Sequence, residues 1–205
     1  MFSGLALKRK RNAVFSMTST EVEKLIREAL NTVGLWQVVD QYKSQFLEFP
    51  DGFFAEIVLN DGSKLVDAER VVRQVEENLR KQGTELDVIV RANWTVKEVG
   101  DPPYGSQVGK WRIPVILTSG SATQKIEVDV LHEVVLDLKQ KIAGKGLDET
   151  SAIKEVVREY LEMELSRGGE SYWDPTRPPR QEINGNALSY LFMNTPVAET
   201  LGIQR

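Results

Sequence analysis

The side chains best equipped for chemistry fall together at Asp129, His132, Glu133 and Asp137, and His132 is the only histidine in the chain. On a helix, Glu133 and Asp137 share a face at i, i+4, and Asp129 joins His132 on one face if the helix begins early enough. Three carboxylates and an imidazole make a donor set for a divalent cation, which would define a metal-dependent hydrolase or nuclease. His132-Glu133 also opens like a zinc-protease helix, but Leu136 stands where the second histidine is required. The competing reading is structural. These acids lie where a strand gives way to a helix, and acidic residues at a helix start complement the helix dipole.

Other chemistries are excluded or weakly drawn. With no cysteine, the chain has no disulfide scaffold, thiolate zinc site, iron–sulfur cluster or cysteine nucleophile. A nuclease arrangement would follow Pro50-Asp51 with an acid-x-Lys element, but Glu56-Ile57-Val58 lacks the lysine and Lys125 to Asp129 has the order reversed. Gly100 to Gly109 contains no phosphate-cradle pattern, and Ser119-Gly120-Ser121 reads as a hairpin turn. No motif calls for a cofactor, and no residue is assigned a catalytic role.

A binding surface is the stronger reading. Tyr172, Trp173, Arg177 and Arg180 cluster in a segment with Pro175, Pro178 and Pro179. Tyr, Trp and Arg anchor interfaces, and a proline-rich arm loses less entropy when it docks. The same arm could instead strap over the chain's own helices, with Tyr104 in the Pro102-Pro103 loop beside the surface. Lys8 to Arg11 place four positive charges in residues 1–16, which leaves −8 on the remainder of a chain whose net charge is −4. That acidic body disfavours extensive phosphate contact, so nucleic-acid tethering through the basic leader ranks behind a protein partner or self-association. No run approaches the length of a membrane-spanning helix, no secretory pattern opens the chain, and the cytoplasm is the default expectation.

The elements that must position these residues are legible from periodicity. Thr20 and Glu23 form a capping box ahead of the apolar stripe Val22, Ile26, Leu30 and Val33. Phe53 to Leu59 reads as a strand, with Asn60-Asp61-Gly62-Ser63 turning it back through Lys64 to Val66, and Asp67 capping the next helix. Leu86 to Val96 alternates as one long strand. Trp111 to Leu117 and Ile126 to Val130 alternate likewise, with Trp94 and Trp111 on the buried phase. Pro114 argues that its strand lies at an edge or bulges. Two amphipathic helices follow over 131–142 and 148–165, then an extended segment and a short helix near 186–192.

The expected architecture is α+β: an antiparallel sheet, made of a hairpin and a three-stranded meander, with helices mainly on one face and a C-terminal extended arm. Residues 1–16 read as a flexible basic leader and 17–169 as the domain. Residues 170–205 read as the arm and short helix, packed on the domain or on a partner. The expected function is a non-catalytic protein-interaction or assembly module.

Overall fold

A computed structural model describes residues 17–102, 109–166 and 181–203. The fold is α+β, with two mixed sheets in place of one antiparallel sheet. Sheet 1 has the order β1 (Gln45–Phe49), β2 (Gly52–Leu59), β3 (Leu86–Ala92). Sheet 2 has the order β4 (Thr95–Val99), β5 (Lys110–Ser119), β6 (Ala122–Leu131), β7 (Gln181–Ile183).

Helix α1 (Ser19–Thr32) starts one half-turn before the sequence reading. Thr18 and Glu21 form the capping box, and Val22, Ile26 and Leu30 are buried. Thr18-x-x-Glu21 and Thr20-x-x-Glu23 match the same pattern, and the earlier start gains half a turn of backbone bonding.

The Asn60–Ser63 segment is not a hairpin turn. The hairpin is formed by β1 and β2 around Pro50-Asp51, and β2 runs parallel to β3 through the crossover helix α2 (Leu65–Lys81). The reason lies in β2 itself, where Ala55 to Leu59 are all buried. A strand covered on both faces belongs in the middle of a sheet, and parallel neighbours need a helical crossover. Asp61, not Asp67, caps the turn entering α2 by accepting from the Ser63 N–H at 3.0 Å.

The alternating run 86–96 divides between the two sheets. It serves sheet 1 as far as Ala92, crosses at Asn93-Trp94 and resumes as β4. Pro114 lies in a central strand. Its carbonyl accepts from Gly100 N at 2.8 Å, beyond the last residue of β4, so its missing donor falls where β4 has ended. The bulge lies in β4, between Val96 and Glu98.

Helices α3 (His132–Ile142), α4 (Glu149–Ser166), α5 (Gly185–Asn194) and α6 (Val197–Thr200) pack with sheet 2. Residues 181–183, expected as irregular, pair with β6 in parallel. Each sheet has its own core: Val128, Val156 and Leu188 belong to that of sheet 2, and Ile26, Ile57 and Val72 to that of sheet 1. Trp94 and Trp111 are partly buried against the sheet 2 core.

The two halves meet where the β5–β6 turn reaches the loop after β2. Asp61 Oδ1 accepts from Ser121 N at 3.2 Å and Ser121 Oγ at 3.1 Å, and Ser121 Oγ also lies 3.0 Å from Ser63 Oγ. These hydroxyl and amide donors hold the Asp61 carboxyl below its usual range, those of Ser63 foremost. Gly120 makes the approach feasible. It sits at φ +56°, and a Cβ there would fall 2.8 Å from Asn60 O. Gly144, at φ +76°, faces open space. Gly144→Ala should therefore cost about 1–2 kcal/mol for left-handed backbone alone. Gly120→Ala should cost about 2–4 kcal/mol because the junction must also open. Urea denaturation of both variants checks this, and equal costs would mean that the junction yields freely.

Candidate functional site

The acids of the metal reading are dispersed among separate structural tasks. Asp129 points to the helix-free face of sheet 2, with Arg112 opposite it in register. Its carboxylate is 3% exposed and accepts from Lys110 Nζ and from Arg112 Nε at 3.1 Å. Arg112 Nε also lies 3.4 Å from Glu127. Burial pushes the Asp129 carboxyl upward, but the hydrogen bonds and charges of Lys110 and Arg112 outweigh it and hold the group below the usual carboxylate range.

His132 opens α3, and its N–H donates to Gly109 O at 3.1 Å. Glu133 Oε1 accepts from Gly185 N at 3.0 Å, fixing the start of α5. Asp137 lies 3.7 Å from Lys141 Nζ along its own helix. Among the described residues, no three His, Asp or Glu side chains come together as a metal ion would require. What this region does is bind β5 to β6 with a neutralised ionic clamp and α3 to α5 with a cap. Lys110 and Arg112 were missed in the sequence, although strict alternation places both on the face of Asp129. Tyr104, Tyr172, Trp173, Arg177, Arg180 and the basic leader lie outside the described residues.

A different surface emerges on sheet 1. Helices α1 and α2 cover the face carrying Ala55, Ile57, Leu86 and Val88. Alternation turns Leu47, Phe49, Phe54 and Ile89 to the other face, with Leu47 directly opposite Phe54. Leu47 is 42% and Phe49 53% exposed. On the same face Glu56 accepts from Arg91 Nε at 2.6 Å, a largely buried ion pair, and the exposed Gln45 and Asp87 lie opposite Glu56 and Phe54, so the apolar part of the face is the patch at Leu47, Phe49 and Phe54. The strand β1 has no neighbour on its outer side among the described residues. The face is therefore shaped for apolar contact, and its edge carries unpaired backbone groups.

No protein-family model matches the chain, and no curated protein and no solved structure matches it either.

The clamp at Asp129 has a measurable signature. Asp129→Asn leaves Lys110 without its counter-charge and Arg112 with Glu127 alone, and since both cations retain some solvent the loss should be about 1–3 kcal/mol at neutral pH. A lowered folded-state pKa means that the Asp129 contribution is complete above the ordinary carboxylate value, about pH 4, and fades as pH falls through the folded-state value. The gap in melting temperature between the native chain and Asp129→Asn should accordingly narrow on acidification below pH 4. A gap that stays constant would show that the clamp carries no net stability.

Proposed function

We propose that this chain is a non-catalytic protein-interaction module, and that it engages a protein partner through the helix-free face and outer edge of sheet 1. The observation that carries this reading is the exposure of Leu47 and Phe49 beside Phe54 and Ile89. A sheet face with this composition is ordinarily covered by a second layer, and sheet 1 has helices on its opposite face only. Large aromatic and aliphatic side chains at such a place are the usual centre of an interface.

The ionic groups support the same reading. Asp129, Glu56 and Glu76 are each held by arginine or lysine partners, so these buried acids serve stability. Among the described residues no helix is long and apolar enough to cross a membrane. The aromatic and arginine-rich segment 170–180 remains a candidate second contact, consistent with its composition.

The test is to tag the chain in its own cells and measure intact complexes by native mass spectrometry. The native chain should carry a stoichiometric protein partner. Leu47→Ser with Phe49→Ser should reduce its recovery by about tenfold or more. Both positions are exposed, so the double variant should melt close to the native chain. A partner retained in full by the double variant, or a chain recovered bare, would refute the proposal.

A further inference from the structure

Resting on the reading of sheet 1 as a binding face, we infer that its partner is a second copy of this chain, joined edge to edge through β1 about a twofold axis at Leu47. The backbone sets this register. Phe53 N–H donates to Glu85 O at 2.9 Å, on the β3 side of β2. On the β1 side, Val58 O accepts from Asp40 N at 2.8 Å, and Val58 N–H donates to Ser44 Oγ at 3.0 Å. Even-numbered residues of β2 thus bond toward β1. In the observed pairing, Gln45, Leu47 and Phe49 turn their backbone groups inward to Glu56, Phe54 and Gly52. Phe46 and Glu48 turn theirs outward.

The flanking positions limit the edge to those two residues. Ser44 N–H is already bonded to Asp40 O at 2.9 Å, and Pro50 has no N–H. An antiparallel copy centred on Leu47 puts Phe46 opposite Glu48 of the second copy, and each such pair exchanges two backbone hydrogen bonds. A shift by one residue reverses the faces. A shift by two in one direction opposes Glu48 to Glu48 and Phe46 to a proline. In the other direction it calls on the bonded Ser44 N–H.

Charge and apolar surface agree with the central register. Within the strand it opposes Phe46 to Glu48 and Gln45 to Phe49, so no like charges meet. On the helix-free face, Leu47 meets Leu47 with a Phe49 on either side. The two exposed patches become one apolar strip across a six-stranded sheet.

The chain contains no cysteine, so introduced thiols report on the register alone. At the twofold axis the two Leu47 positions form a non-hydrogen-bonded pair with Cα atoms about 4.5 Å apart, within disulfide reach. The two Phe49 positions lie about 13 Å apart along the strands. The native chain should show a concentration-dependent dimer in sedimentation velocity. Leu47→Cys should form a covalent dimer under mild oxidation at least about tenfold faster than Phe49→Cys. Glu48→Pro removes an outward N–H without touching the bonds to β2, so it should sediment as a monomer and melt as the native chain does.

A chain that stays monomeric up to about 1 mM overturns the inference. So do equal cross-linking rates at the two positions, and a Glu48→Pro variant that still dimerises. Should Glu48→Pro fail to fold, the ratio of cross-linking rates decides. A monomeric chain that still captures a different protein through Leu47 and Phe49 would refute the second copy and leave the interaction reading standing.

Discussion

Sheet 1 depends on the burial of β2 on both of its faces. Five consecutive buried residues, Ala55 to Leu59, cannot sit at an edge. The strand must therefore have two neighbours, and the chain supplies them differently. The tight connection at Pro50-Asp51 gives an antiparallel neighbour in β1, and the crossover helix α2 gives a parallel one in β3. Gly52 permits the close approach of the third strand, since a Cβ there would stand 2.6 Å from Glu85 O. Once α1 and α2 cover one face, the other is closed toward the end of β2, where Glu56 and Val58 are buried, and stays open at Leu47 and Phe49. The exposed face and the outward edge of β1 are consequences of how β2 is buried.

The two sheets deal with their helix-free faces by different means. Sheet 2 makes its own hydrophilic, with Lys110, Arg112, Lys125, Glu127 and Thr123 on alternate positions and Asp129 neutralised at the centre. Such a face is content in water and offers little to a partner, because each strong charge at its centre is already paired. Sheet 1 keeps Leu47, Phe49, Phe54 and Ile89 on the corresponding face. The difference is one of degree, since sheet 1 also carries Gln45, Glu56, Asp87 and Arg91 on that face and sheet 2 carries Ile116 and Leu131, but only sheet 1 leaves large apolar side chains exposed at its edge.

The helices and the α+β class were legible because 3.6-residue periodicity survives in Val22, Ile26 and Leu30 and again in Ile153, Val156, Val157 and Leu161. Topology was not. Asn60-Asp61-Gly62-Ser63 carries the residues of a hairpin turn, yet the same residues suit a capped turn into a helix, and local sequence does not say which way the chain leaves. The run from Leu86 to Val96 hid a change of sheet, because alternation continues on both sides of Asn93-Trp94 and records only that one face is buried. The signal that could have corrected the first was the nearly continuous apolar run Phe53 to Leu59 in β2, interrupted only by Glu56. As for the site, Asp129 attracted attention by its type, while Leu47 and Phe49 lie in a stretch to which periodicity assigns no element. Exposure separates those cases, and it is a tertiary property.

An edge strand that invites pairing also risks open-ended assembly, and β1 carries features that restrain it. It is only five residues long, Pro50 ends its donor row, and the Ser44 amide is withdrawn into the turn at Asp40. Taken singly, each is a device against aggregation. Taken together, they do not close the edge but leave two outward residues, Phe46 and Glu48, placed symmetrically about Leu47. Because that pairing is isologous, forming it consumes the edge that formed it, and the assembly through β1 stops at two copies. The same restraints that protect the strand from unspecific partners therefore define the one register in which it meets itself.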